Sequence, residues 1–310
     1  MMRIPFLKPG DTIGIAATAR KISADEITPA IQIFESWGLN VQLASTLFET
    51  QNQFAGNDQQ RASGFQKLLD TPSVKAIICA RGGYGTVRII DQLSFDIFNQ
   101  HPKWIIGYSD ITVLHNHIHQ QYKIPTLHAT MPINMQPDKA DDESIGNLRK
   151  ILFGEKSEAT STGHHLLNRN GTAKAPLVGG NLSVLYSLVG SASDVDTAGK
   201  ILFLEDLDEY LYHIDRMMMN LKRNGKLHAL AGLVVGGMSD MKDNAIPFGL
   251  TAEEIIKQHV SDYDFPVCFS YPAGHEKRNL PLILGSEYHL TVNENGSMLD
   301  LIQQINKFAH

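Results

Sequence analysis

The chain has 310 residues, 43% apolar and 19% charged, with a formal net charge of −6 and a pI near 6.1. That composition is the ordinary one of soluble globular proteins, and the length exceeds what one core usually organises, so one large or two medium domains are expected. The acidic balance, without a long Lys/Arg run, argues against nucleic acid and anionic membranes as partners. No apolar run approaches a bilayer span, and the first eleven residues are too weakly apolar for an export signal. Only Cys79 and Cys268 are present, both inside apolar strand-like runs. Two buried thiols and no export signal point to a reducing cytoplasm rather than a disulfide scaffold.

In chain order, Asp11–Ala17 reads as a first strand leading to a small-residue turn. A helical pattern follows from about Ile27 to Trp37, with Gly38 as its stop. Asn40–Ser45 is a short strand, Asn57–Leu69 a polar-faced helix, and Val74–Ala80 a fully apolar strand. Arg81-Gly82-Gly83-Tyr84-Gly85-Thr86 then turns into a helix carrying Val87, Ile90 and Leu93. Next come a strand ending at Gly107, a helix carrying Ile111, Leu114 and Ile118, and a strand over Ile124–Thr130. Strands alternating with helices predict a parallel sheet covered on both faces, ending as a first domain near residue 153.

Residues 154–173 shift to Glu, Ser, Thr, Gly, His and Asn without periodicity, the mark of a connection. A second domain is expected over 174–310. Gly179-Gly180-Asn181-Leu182 opens a helix, Lys200–Leu204 is a strand ending in acids, and Ile214–Leu221 is a Met-rich helix. Leu230–Gly236 is a strand, Thr251–Val260 a helix begun by Thr-x-Glu-Glu, and Pro266–Tyr271 a strand. Leu282–Leu301 reads as a hairpin turning at Asn293-Glu294-Asn295-Gly296.

Four places carry chemistry. Ser109 stands between an apolar strand and a helix, where an open α/β sheet presents ligand-binding groups. It fits a nucleophile elbow except that Ile111 replaces the second glycine of Gly-x-Ser-x-Gly; a helix cap is the competing reading. The loop Arg81–Gly85 is neither a Walker loop nor Gly-x-Gly-x-x-Gly. Its N–H groups suit a phosphate, or half of an oxyanion hole, or the glycines only permit a tight turn. Glu205 and Asp206 end an apolar strand and alternate to opposite faces; one is placed to orient a histidine, or both are solvated or paired with Arg216 or Lys222. His275 follows a strand and a small-residue turn, the position of a base.

Competing groups are weaker. His115 and His119 lie one helical turn apart, but without a glutamate between them or a third ligand they read as a polar helix face rather than a metal site. His128 follows a strand and is a supporting group; His164 and His165 fall in the connection. Cys79 precedes the glycine loop as a rival nucleophile, in surroundings that leave thiols inert.

Taken together, Pro9-Gly10-Asp11, Arg81–Gly85, Gly107–Thr112, Gly179–Leu182, Phe203–Asp206 with Ile214-Asp215-Arg216, and Gly274-His275 resemble the LD-carboxypeptidase family of serine peptidases. That family includes murein tetrapeptide carboxypeptidases and microcin-immunity hydrolases. Glu276-Lys277-Arg278-Asn279 departs from any clear family pattern. The resemblance implies Ser109 as nucleophile, Glu205 as acid and His275 as base. It also implies an oxyanion hole from the N–H groups of Gly83 and Asp110. Arg81, Tyr84 and Asn181 are the expected substrate-binding residues, with Arg81 offered to the substrate carboxylate. Further implications are a flavodoxin-like or amidotransferase-like first domain, a smaller C-terminal α/β domain, a cytoplasmic homodimer, and no cofactor or metal. The expected reaction releases the terminal D-alanine of a murein tetrapeptide across an L,D amide bond through an acyl-enzyme. The alternatives are an immunity hydrolase of peptidyl or aminoacyl nucleotides and a non-catalytic phosphate-binding module.

Overall fold

A computed structural model describes residues 4–136, 142–155 and 159–302. Its elements form a two-domain α/β architecture with two mixed sheets and flanking helices. The first sheet takes β1 (Thr12–Ala16), β2 (Asn40–Leu43), β3 (Val74–Cys79), β4 (Trp104–Gly107) and β5 (Thr126–His128), all parallel, in the order β2-β1-β3-β4-β5. Its central strands are apolar without alternation because helices cover both faces. These helices are α1 (Ala24–Ser36), α2 (Asp58–Asp70), the short α3 (Asp96–Gln100), α4 (Thr112–Tyr122) and α5 (Glu143–Leu152).

The second sheet begins with β6 (Thr160–Thr162) and β7 (Gly171–Asn181), so a strand lies inside the segment read as a connection. After α6 (Leu182–Leu188) come β8 (Ile201–Leu207), α7 (Leu211–Arg223), β9 (Gly232–Ser239), α8 (Ala252–His259) and β10 (Val267–Cys268). β7, β8, β9 and β10 are parallel. β12 (Glu287–Asn293) and β13 (Gly296–Leu301) add an antiparallel hairpin, and β6 closes that edge. Among the described residues no helix is long and apolar enough to cross a membrane.

Several expected boundaries move, each for a local reason. Helix α1 starts at Ala24, not Ile27, because Ser23 and Glu26 form a capping box. The helix expected after the glycine loop is two single 3-10 turns, Thr86–Arg88 and Ile90–Gln92, followed by α3, which the sequence reading missed. The tail is not one hairpin from Leu282. Gly285, at φ 87°, breaks the run, and β11 (Leu282–Leu284) crosses to pair antiparallel with β5 of the first sheet. The capping box at Thr251 and Glu254 starts α8 as its sequence suggests.

The two domains meet along α4. Its histidines do not form a polar face: all three are buried, His115 within the first domain against Gly107 and Thr126, and His117 and His119 with Ser193 and Gly285 of the later chain against them. Asn116 Nδ2 donates to the Gly179 carbonyl at 3.1 Å, and the Asn181 N–H donates to Thr112 Oγ1 at 3.0 Å. His117 Nδ1 bonds Ser193 Oγ at 2.9 Å, and Arg278 makes a two-pronged pair with Glu143. The helix that follows Ser109 is therefore bonded to the strand beside the one bearing Glu205, since Asn181 and Glu205 are register partners.

Candidate active site

The carboxyl ends of β1, β3 and β4 gather three loops, as expected where ligands bind in parallel sheets. β4 ends at Gly107, and Ser109 follows with φ 63°, a left-handed conformation that serine rarely adopts. Ser109 starts a 3-10 turn, and neither that turn nor α4 has a side-chain cap, so the helix-cap reading fails. Gly107, at φ 154°, leaves room for Ile111; a Cβ there would sit 2.8 Å from Ile111 Cγ1. That is how the turn forms without its second glycine.

The glycine loop lies directly over this elbow. A Cβ on Gly82 would fall 2.9 Å from Ser109 Cβ and 3.0 Å from its Oγ. Asp110 is buried, and its carboxylate accepts the Thr86 N–H at 2.8 Å, which ties the end of the glycine loop to the elbow. Burial raises the Asp110 pKa, partly countered by the hydrogen bonds of Thr86 and Gly85. Gly83 has φ 116°. The N–H groups of Gly83 and Asp110 thus belong to two loops joined by one carboxylate.

The second domain supplies an imidazole and a carboxylate. His275 Nδ1–H donates to Glu205 Oε2 at 2.6 Å, and the His275 N–H reaches the same oxygen at 3.2 Å. Glu205 is fully buried, so neither the solvated reading nor a pairing with Arg216 or Lys222 holds; Lys222 pairs with Asp262 instead. Gly274 is required here, because a Cβ would lie 2.7 Å from Glu205 Oε2. Burial alone would lower the His275 pKa, but the hydrogen bond and charge of Glu205, with Asp206 nearby, raise it overall. The His275 ring packs at a tilt of 58° against Tyr108, the residue before Ser109, at 4.9 Å between centroids. No hydrogen bond joins the Ser109 hydroxyl to the ring among the described residues; the contact with Tyr108 is what brings 275 to the elbow.

Other sequence candidates sort themselves by their contacts. Asp206 faces away from Glu205, accepting the N–H groups of Ser183 and Leu207 and the amide of Asn181, each at 2.9 Å. Burial, then the charge of Glu205, raises its pKa to about 7. Asn181 is committed to Asp206 and to capping α6 through Val184 N–H at 3.1 Å. Arg81 donates to the Lys21 carbonyl at 3.3 Å, with Glu26 at 3.9 Å, while Tyr84 is exposed against Phe54. Cys79 is buried, and burial pushes its thiol up to about 12, which leaves it protonated and inert. His115 satisfies both ring nitrogens, donating to Gly107 O at 2.9 Å and accepting from Thr126 Oγ1 at 2.8 Å. His128 lies buried between Tyr108 and Phe203.

Sequence reasoning missed the residues that hold these groups in place. Asn279 Oδ1 accepts the Gly274 N–H at 2.9 Å, while its own N–H donates to Ser144 Oγ at 3.1 Å in the other domain. Ser239 Oγ donates to the His275 carbonyl at 2.7 Å. An asparagine ending the charged stretch Glu276-Lys277-Arg278 is the only signal Asn279 offered.

Residues 13–129 match the family model of the LD-carboxypeptidase N-terminal domain, and residues 174–290 that of the LD-carboxypeptidase C-terminal domain. The chain is 33% identical over 302 residues to a probable murein peptide carboxypeptidase of Bacillus subtilis, covering 95% of this chain and 93% of the relative. It is 24% identical to the Microcin C7 self-immunity protein of Escherichia coli, covering 90% of each. A muramoyltetrapeptide carboxypeptidase structure from Oxalobacter formigenes superposes with a TM-score of 0.82 at 26% identity, covering 94% of this chain and 98% of the other.

Proposed function

The chain belongs to the LD-carboxypeptidase family, and from that premise we propose a serine-type carboxypeptidase that releases the terminal D-alanine of murein tetrapeptides. Ser109 Oγ attacks the scissile carbonyl as its proton passes to His275 Nε2. Glu205 accepts the Nδ1–H, fixes the tautomer and favours the imidazolium. The N–H groups of Gly83 and Asp110 stabilise the oxyanion, each worth roughly 3 kcal/mol. The imidazolium then protonates the departing D-alanine nitrogen, and water hydrolyses the acyl-enzyme by the same relay.

The observation that carries this reading is the His275–Glu205 pair, its carboxylate fully buried and its ring packed against Tyr108, one residue from a serine in a left-handed turn. The first-sheet order 2-1-3-4-5 favours a flavodoxin-like label for residues 1–153, with 154–173 as connection and 174–310 as the smaller half. A cytoplasmic homodimer completes the proposal. The similarity to the self-immunity protein favours a second reading, cleavage of a peptidyl or aminoacyl nucleotide by the same groups.

The test is incubation with defined muropeptides and with an aminoacyl nucleotide, products being identified by mass. Conversion of tetrapeptide to tripeptide and D-alanine is the expected result. Turnover of the nucleotide alone would move the assignment to the second reading.

A further inference from the structure

A carboxypeptidase must recognise the free carboxylate of the residue it releases. In this substrate only the amide nitrogen and one Cα separate that carboxylate from the scissile carbonyl, so it lies about 4–5 Å from the oxyanion site. Its cation must therefore stand beside the Gly83 and Asp110 N–H groups.

Two arginines reach this place. Arg81 is engaged by the Lys21 carbonyl and Glu26. Arg20, in the loop after β1, is exposed, and among the described residues no carboxylate pairs with it. Its backbone is bridged to Phe54, and on either side Ala55 N–H donates to Ala19 O at 3.1 Å and Lys21 N–H to Gln53 O at 3.0 Å. Its side chain runs across Gly83: a Cβ on that glycine would overlap Arg20 Cγ and Cδ and lie 3.4 Å from Arg20 Cβ. The absent side chain at 83 is what lets the arginine stem pack on the loop that carries an oxyanion donor. The stem is held beside Gly83, and among the described residues the guanidinium has no carboxylate partner.

Resting on the carboxypeptidase reading, we propose that Arg20 binds the terminal carboxylate of the D-alanine to be released. A guanidinium suits this role because it offers paired donors to both carboxylate oxygens. The interaction selects substrates with a free C-terminus and does not enter the proton relay.

The experiment compares tetrapeptide with its C-terminal carboxamide, using wild type, Arg20→Ala and Arg20→Lys. Wild type is expected to prefer the acid. Arg20→Ala is expected to lose about 10- to 100-fold in kcat/KM on the acid, mostly through KM. The loss on the carboxamide should be several-fold smaller than on the acid, and Arg20→Lys should recover part of the loss on the acid. Unaltered acid hydrolysis by Arg20→Ala, or equal losses on both substrates, would overturn Arg20 and leave the carboxypeptidase reading standing. Equal hydrolysis of both substrates by wild type would overturn the carboxylate clamp itself. Failure of wild type to cut either one would contradict the carboxypeptidase reading, and Arg20 with it.

Discussion

Ser109 sits at φ 63° with the Gly82 backbone pressed against its side chain, and this crowding sets what substitutions there will do. Gly82→Ala would put a methyl group against the hydroxyl, so activity should fall at least 100-fold with little change in far-UV dichroism, as measured by tetrapeptide trimming. Glu205→Gln keeps the shape but removes the charge and leaves the tautomer unspecified; kcat should fall about 10³- to 10⁴-fold. The pH profile separates the two functions of Glu205. Its carboxylate favours the imidazolium, so the acid limb of kcat/KM should lie above the ordinary histidine value of 6.5, and Glu205→Gln should move it lower. A limb that stays fixed in the variant would contradict the pairing. These three positions were legible because strand grammar puts reactive groups at strand ends. The Arg20–Gly83 packing was not, since it joins residues 63 positions apart whose contact no local pattern encodes.

Helix α4 links the elbow to the second domain, and its closest approach is at β7. Gly180, at φ 135°, faces Thr112, and a Cβ there would lie 2.9 Å from Thr112 Cγ2. Gly180→Ala should therefore cost about 1–3 kcal/mol in denaturant unfolding, from overpacking. It should also lower kcat more than it raises KM, because it tilts the helix that follows the Ser109 turn. Most elements were readable: apolar runs without alternation marked β3 and β4, and Asn57 and Thr251 stood at helix starts that their caps bear out, whereas the capping box at Ser23 went unread and the first helix was expected to begin three residues late. The crossing of β11 was not. Leu282–Leu284 has the same composition whichever sheet it joins, and only tertiary pairing with β5 decides. The burial of His117 and His119 was hidden for the same reason, because Ser193 and Gly285, which lie against them, come from far along the chain.

Across the whole molecule, closing the two domains buries imidazoles in neutral form. Burial lowers His115 and His119 to about 4 and His128 well below its ordinary value. An unfolded chain protonates these rings near 6.5, so stability should fall as pH drops from 6.5 toward 4. His275, with its raised value, acts in the opposite direction, being most stabilising below 6.5, but it is one ring against four, since burial lowers His117 as well. Thermal unfolding across that range should show a declining Tm, and His119→Leu, which removes two nitrogens without partners, should flatten the slope. A Tm indifferent to pH over this interval would contradict the buried neutral state. The central claim, that an imidazole from one domain activates an alcohol in the other, is tested most directly by a fluorophosphonate probe with peptide mapping. Phosphonylation should map to Ser109, quicken as pH rises through the His275 transition, and fall at least 100-fold in His275→Ala. Labelling at another residue, or at Ser109 with the same rate in His275→Ala, would contradict it.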